Sequence, residues 1–215
     1  MYVQSSSILV YNIIKMKRGT SMLKNIVFDM GNVIIEWNPK RLSKTISSEH
    51  AEILETYLFG SKTWPKLDEG LVSLEEGLNE VLENTPKEFH DLMTYAYYHW
   101  GDHIDLLENT HELMIKLKEK GYHLYLLSNA GVLFDEYHKK YPVFELLEEK
   151  YVSAHHKMVK PDPKIFLDFL DCYGLKAEEC LFIDDVLDNV LGARSVGMQA
   201  YQFFGDTSEL EEMLL

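Results

Sequence analysis

Five short runs dominated by apolar residues recur along this chain. They occupy residues 26–28, 122–127, 151–152, 181–183 and 199–203. The first run has no polar alternation, which is typical of a strand buried on both faces of a parallel sheet. Segments with apolar residues at helical spacing lie between the runs, at 106–117, 164–173 and 191–196. This alternation of strands and helices predicts an α/β fold built on a parallel sheet.

The segment between the first and second runs has a different pattern. Residues 37–104 show helical spacing in several blocks and nothing that predicts a strand. They predict an all-helical insertion between two parts of a core, residues 22–36 and 105–215, and an insertion at this place can act as a lid. We interpret its aromatic side chains as packing within the lid rather than as a ligand platform. These residues are Trp64, Tyr95, Tyr97, Tyr98 and Trp100.

Residues 1–21 do not continue either pattern. Their apolar stretch, 8–14, is too short to span a bilayer, and the positive charges follow it rather than precede it. We expect a loosely attached N-terminal extension, with the natural start at Met16 or Met22.

The overall charge narrows the range of partners. The chain has 35 acidic and 21 basic residues among 215, a net charge of −14. Nucleic acid and anionic membrane surfaces would be repelled, so neither is expected as a partner. An anionic small-molecule substrate would need a metal ion or a local lysine to hold it. The two cysteines, Cys172 and Cys180, favour reduced core thiols in a cytoplasmic protein.

Polar residues follow the predicted strands at the edge where an open α/β sheet binds ligands. Asp29 ends the first strand, and Ser128 with Asn129 ends the second. Hydroxyl, amide and free backbone N–H groups at such a turn suit a phosphate oxygen. Lys160 stands just before a predicted helix, where it could reach across the strand ends. Each of these signals, taken alone, is also compatible with an ordinary turn or a solvated lysine.

The fourth strand carries the most specific signal. It leads into two adjacent acids, Asp184 and Asp185, and Asn189 lies one helical turn beyond them. Adjacent carboxylates at the mouth of a sheet repel each other unless a cation lies between them. Oxygen ligands at a phosphate site favour Mg²⁺. The sequence therefore predicts a Mg²⁺ site at this edge of the sheet.

Four short motifs, in their order and spacing, resemble those of the haloacid dehalogenase-like hydrolase superfamily over residues 23–204. The motifs are Phe-Asp-Met-Gly-Asn-Val from residue 28, Leu-Leu-Ser-Asn from 126, Lys-Pro-Asp-Pro-Lys-Ile-Phe from 160 and Phe-Ile-Asp-Asp-Val-Leu-Asp-Asn from 182. The branch that the chain resembles includes an aldose 1-phosphate phosphatase and the phosphatase domains of epoxide hydrolases. The resemblance implies a Rossmann-like parallel sheet with helices on both faces and a helical cap at the predicted insertion.

The resemblance also implies how the strand-end residues divide the chemistry. Asp29 would be the nucleophile that forms an aspartyl-phosphate, and Lys160 would neutralise charge on the phosphoryl group and on Asp29. Ser128 and the N–H of Asn129 would hold a phosphoryl oxygen.

The remaining implied roles concern Mg²⁺. Its ligands would be Asp29, the backbone carbonyl of Gly31, and Asp185 with help from Asp184. Asn189 would orient these ligands without binding the metal ion itself.

Gly31 is also where the chain departs from the family pattern. Phosphatases and mutases of the superfamily usually carry a second Asp there, as general acid for the leaving group and base for the attacking water. Loss of such a group typically lowers the rate of reaction by about 10²–10⁴-fold. We therefore expect a phosphatase of small phosphorylated metabolites whose leaving group is a weak base, with an aldose 1-phosphate as first choice, rather than a mutase.

Two other functions remain open. A metal-independent 2-haloacid dehalogenase also uses a strand-end Asp without the second acid, although the adjacent Asp184 and Asp185 argue against it. A catalytically silent member of the superfamily would bind a phosphorylated metabolite without hydrolysing it.

Overall fold

A five-stranded parallel sheet forms the centre of the protein. The computed structural model describes residues 23–215, and the predicted extension, residues 1–21, lies outside them. The strands lie in the order β3-β2-β1-β4-β5, and each neighbouring pair is parallel. They are β1 (Asn25–Phe28), β2 (His123–Ser128), β3 (Glu149–Val152), β4 (Cys180–Asp184) and β5 (Gln199–Gln202). The predicted α/β fold with a parallel sheet is confirmed.

Helices fill the segment between β1 and β2 and follow the later strands. The first group is α1 (Pro39–Ile46), α2 (Ala51–Leu54), α3 (Thr63–Asp68), α4 (Leu74–Asn84) and α5 (His90–His99). Helix α6 (Glu108–Glu119) leads from that segment into β2, and the helices after β2 are α7 (Phe134–Tyr137), α8 (Ser153–His156), α9 (Pro163–Cys172), α10 (Leu187–Ser195) and α11 (Ser208–Leu214). Within residues 23–215, no helix is long and apolar enough to cross a membrane.

Helices cover both faces of the sheet. Val27 of β1 packs in one apolar layer with Phe166 of α9 and Val190 of α10. Its neighbour Phe28 points the other way, into a layer that includes Leu113 of α6. Because the central strands are buried on both faces, their apolar runs show no polar alternation. The expected arrangement of helices on both faces is therefore confirmed.

The chain enters and leaves the helical segment at neighbouring points. The Glu36 N–H donates to the Asp105 C=O at 2.9 Å, and Arg41 of α1 forms ion pairs with both side chains. Between these points, the described residues form helices and turns and no named strand. This arrangement agrees with a helical cap inserted at residues 37–104, whose boundaries remain a prediction.

The aromatic side chains of this segment agree only in part with our interpretation of them as packing within the lid. Tyr97 is fully buried, and its hydroxyl donates to the Leu74 C=O at 3.0 Å. Tyr95 and Tyr98, however, are 48% and 42% exposed, because α5 turns its small and apolar residues inward instead. Trp64 and Trp100 line a cavity at the sheet edge.

The two cysteines are both free thiols in different environments. Cys180 begins β4, and burial raises the pKa of its thiol to about 11. Cys172 lies at the exposed end of α9, so the prediction of a core thiol is wrong for this residue.

Candidate active site

The carboxyl ends of β1, β2 and β4 bring the predicted site residues to one cavity. This cavity has a volume of about 270 Å³. Its lining includes Asp29, Gly31, Ser128, Asn129, Lys160, Asp185 and Asn189. Asp184 is fully buried behind it at the end of β4. Parallel strands end at the same edge of a sheet, which explains why residues so distant in sequence meet here.

Asp29 is held rigidly at the end of β1. Its N–H donates to the Ile183 C=O of β4 at 2.8 Å, and its side chain is largely buried. Burial raises the pKa of its carboxyl to about 6, against the opposing charge of Lys160 and with a further rise from Asp184. A carboxylate in this position needs positive charge beside it to remain ionised at neutral pH.

Lys160 supplies one such charge. Its Nζ lies 2.7 Å from Asp29 Oδ1 and 2.7 Å from Asp184 Oδ2, and its side chain is only 1% exposed. Burial alone would lower the pKa of this lysine, but the two carboxylates outweigh that effect and raise the pKa above its ordinary value. Lys160 is therefore a buried cation that bridges the ends of β1 and β4.

Asn129 positions this lysine, a role that the sequence did not predict. Its side-chain Oδ1 accepts from the Lys160 N–H at 2.8 Å, and its Nδ2 donates to the Lys160 C=O at 3.0 Å. The loop after β2 thereby fixes the backbone from which Lys160 extends.

Three carboxylates converge beside Lys160. One oxygen from each of Asp29, Asp184 and Asp185 lies within 4.8 Å of the others. Asp184 is already satisfied, since it accepts from Asn189 Nδ2 at 3.0 and 3.1 Å and from the Val186 N–H at 2.8 Å. Asp29 and Asp185 face the cavity. All-oxygen donors in this arrangement fit a hard divalent cation such as Mg²⁺.

Asp185 is the less buried member of this group. Burial raises the pKa of its carboxyl, as does the charge of Asp184, while the hydrogen bond from Asn32 Nδ2 at 3.0 Å opposes the rise. Asn32 has a left-handed backbone conformation with φ of 54°, which bends the loop after β1 toward Asp185.

Comparison with known proteins identifies the family. The model of the haloacid dehalogenase-like hydrolases matches residues 23–197. This chain belongs to that family. A sesquiterpene phosphatase of Aspergillus oryzae is 24% identical over 176 residues, which cover 81% of this chain and 87% of the relative. D-ribitol-5-phosphate phosphatase of Bacteroides thetaiotaomicron is 24% identical over 192 residues, which cover 84% and 92%.

A solved structure of the same family has a similar fold. It is a haloacid dehalogenase family enzyme from Bacteroides thetaiotaomicron in complex with magnesium and inorganic phosphate. The TM-score is 0.72 at 25% identity, and the match covers 87% of this chain and 98% of that chain. The predicted superfamily is thus confirmed for this hydrolase.

The cavity of this hydrolase also contains residues that the sequence analysis missed as site residues. Trp37 stacks on Trp64, with ring centroids 5.6 Å apart, and meets Trp100 edge-on at 5.4 Å. All three tryptophans line the cavity, as does Asp68 at the end of α3. Trp64 and Asp68 share α3, whereas Trp37 and Trp100 come from two other segments, and no local spacing could have indicated that these three segments meet at one cavity.

Backbone strain does not explain why residue 31 is a glycine. Its φ lies outside the left-handed region, and a Cβ built there would lie 3.4 Å from Trp37 Cβ, an ordinary contact. An L-residue is therefore compatible with this position, and Trp37 occupies the space beside it.

Proposed function

We propose that this hydrolase is a Mg²⁺-dependent phosphatase that hydrolyses a small phosphorylated metabolite through an aspartyl-phosphate on Asp29. The observation that carries the proposal is the convergence of Asp29, Asp184 and Asp185 within 4.8 Å, next to the buried Lys160. Carboxylates this close favour a bound cation. The phosphatase relatives, and the similar enzyme solved with magnesium and phosphate, support the same activity.

The residues would divide the reaction as follows. An oxygen of Asp29 attacks phosphorus while Lys160, 2.7 Å away, offsets the charge that would otherwise repel the phosphate. Ser128 and the Asn129 N–H hold a phosphoryl oxygen at the end of β2. Water then releases phosphate from Asp29.

The metal ion would bind on the side of the three carboxylates that faces the cavity. Asp29, the Gly31 C=O and Asp185 would be its ligands, since Asp184 is occupied by Lys160 and Asn189. Asp184 would therefore act through Lys160 and Asn189 rather than as a direct ligand. Bound Mg²⁺ would stabilise the charge that develops between nucleophile and phosphate.

The helical segment 37–104 would serve as the cap that excludes water and selects the substrate. Trp37, Trp64 and Trp100 pack together and give the cavity an apolar wall in addition to the charged strand ends. Such a wall would contact the organic part of a phosphate ester, whether the C–H face of a sugar or a hydrocarbon chain. A sugar phosphate, with an aldose 1-phosphate as first choice, remains a prediction.

The test is hydrolysis of 4-nitrophenyl phosphate with Mg²⁺. The wild type should be active and should lose activity when EDTA removes the metal, whereas a metal-independent dehalogenase would neither hydrolyse this ester nor respond to EDTA. Asp29→Asn should reduce the rate by about 10³-fold or more. Asp91→Asn, a matched change at an exposed position of the cap, is the control. Equal rates for wild type and Asp29→Asn would end the assignment of the nucleophile.

A further inference from the structure

Asp68 is the one carboxylate that the cap segment, residues 37–104, contributes to the lining of this cavity. It is the last residue of α3 and shares the cavity with Asp29 and Gly31. The backbone N–H of Gly131, in the loop after β2, lies near enough to lower the pKa of its carboxyl. Asp68 is not a member of the carboxylate group that fits a metal ion, which leaves its oxygens available for another task.

The core holds Asp68 in this place through its backbone. The Ser153 hydroxyl donates to the Asp68 C=O, and the same Oγ accepts from the Ala130 N–H at 2.9 Å. Two residues further on, a side chain at Gly70 would lie 2.1 Å from the Ala154 C=O, so the backbone after α3 rests directly on α8. The end of α3 is thus docked on the loop after β2 and on α8, with Asp68 in the cavity at the strand ends.

The surroundings of Asp68 favour its protonated form near neutral pH. Burial raises the pKa of its carboxyl to about 7; the Gly131 N–H opposes this rise, and the charge of Asp29 adds to it. A carboxylic acid of this kind can give up and regain a proton during a reaction at neutral pH.

We propose that Asp68 is the general acid and base of this hydrolase, supplied by the cap in place of the side chain that Gly31 lacks. The proposal rests on the phosphatase function proposed above. It deepens that function, because an enzyme with such an acid accepts phosphates of strongly basic alcohols and is not restricted to aldose 1-phosphates and aryl phosphates.

The proton balance is as follows. As the Asp29 oxygen bonds to phosphorus and the bond to the ester oxygen breaks, Asp68 gives its proton to that oxygen and the alcohol leaves. Asp68, now ionised, takes a proton from water as the water oxygen bonds to phosphorus. The bond between phosphorus and Asp29 then breaks, inorganic phosphate leaves, and Asp68 is again protonated.

The test compares two esters with different leaving groups in wild type and Asp68→Asn. The probes are benzyl phosphate, an alkyl ester, and 4-nitrophenyl phosphate, whose leaving group needs little protonation. We expect kcat/KM to fall by about 10²-fold or more for benzyl phosphate and by less than about tenfold for 4-nitrophenyl phosphate. The variant should also release a burst of nitrophenol equal to the enzyme concentration, because the aspartyl-phosphate then lacks its base.

Asparagine keeps an oxygen for the Gly131 N–H, so the cavity should retain its shape, and an unchanged melting temperature checks this. The control is again Asp91→Asn. A second variant, Asp68→Asn with Gly31→Asp, should recover part of the benzyl phosphate activity, since a Cβ at Gly31 meets only ordinary contacts.

Three results would contradict the proposal in distinguishable ways. Equal losses of kcat/KM on both esters would show that Asp68 only shapes the site. No loss on benzyl phosphate would show that the acid lies elsewhere. A wild type that hydrolyses neither ester would overturn the phosphatase function itself, before Asp68 is considered.

Discussion

Lys160→Met removes the cation that bridges two buried carboxylates. The Lys160 Nζ lies 2.7 Å from oxygens of both Asp29 and Asp184, and its stem packs near the Phe182 ring, with Nζ 5.1 Å from the ring centroid. Methionine keeps most of the apolar stem and deletes the charge. In the absence of a metal ion, the variant leaves the carboxylate of Asp184 fully buried without a cationic partner.

The expected loss of stability depends on the interactions that each carboxylate retains in the variant. Removing one partner of a buried ion pair costs about 3–5 kcal/mol. Asp184 keeps the hydrogen bonds from Asn189 and Val186, and Asp29 can take up a proton, since its pKa is already raised to about 6. We therefore expect a loss of stability at the lower end of this range, about 3 kcal/mol. In a chain of 215 residues this lowers the melting temperature by about 6–12 °C.

The effect should depend on pH. Burial already raises the pKa of the Asp29 carboxyl to about 6, and without Lys160 this pKa should rise further above its value in the unfolded chain. Stability is then greatest where Asp29 is protonated and falls as pH rises through its folded-state pKa. The difference between wild type and variant should consequently be larger at about pH 8 than at about pH 5.

The measurement is thermal unfolding in EDTA, followed by circular dichroism. Lys164→Met, which changes an exposed lysine at the start of α9, is the matched control and should shift the melting temperature little. Adding Asp184→Asn to Lys160→Met should cost less than the sum of the single changes, because the unpaired charge is then gone. The reasoning is refuted if Lys160→Met is no more destabilising than Lys164→Met, or if the effects of the pair are additive.

Two further predictions concern the metal site and the docking of the cap. Mg²⁺ should raise the melting temperature of the wild type by relieving repulsion among the three carboxylates, and Asp185→Ala should abolish the shift; a full shift in the variant would contradict the metal assignment. Gly70→Ala should destabilise by about 1–3 kcal/mol in urea unfolding, because φ is +68° and a Cβ would collide with the Ala154 C=O. Gly121→Ala is the control, because Gly121 has a φ of +87° but open space around it, so this variant measures the cost of backbone strain alone. Equal losses of stability in the two variants would argue against the close contact at Gly70.

The apolar runs were sufficient to predict the positions of the strands because helices cover both faces of the sheet. Ile26 and Val27 face opposite layers, and both are fully buried, so the run could not alternate. The acids and amides at the strand ends determined much of the site for a related reason. Parallel strands end at one edge, so Asp29, Ser128 and Asp185 had to meet once the strands were placed.

Exposure within the helices was not determined by the sequence alone. Tyr95 and Tyr97 are both aromatic residues on α5, yet one is half exposed and the other fully buried. Cys172 on α9 was likewise predicted to lie in the core but is exposed. Which face of a helix is covered depends on the elements packed against it, and these come from elsewhere in the chain.

Only the tertiary structure decided which cap residues reach the site. Asp68 is one acid among many in this chain, and nothing in its neighbourhood in sequence separates it from a solvated one. Its burial, its raised pKa and its place in the same cavity as Asp29 arise because α3 docks on the loop after β2 and on Ser153 of α8. These contacts join segments more than sixty residues apart, and such long-range packing leaves no periodic signal in the sequence.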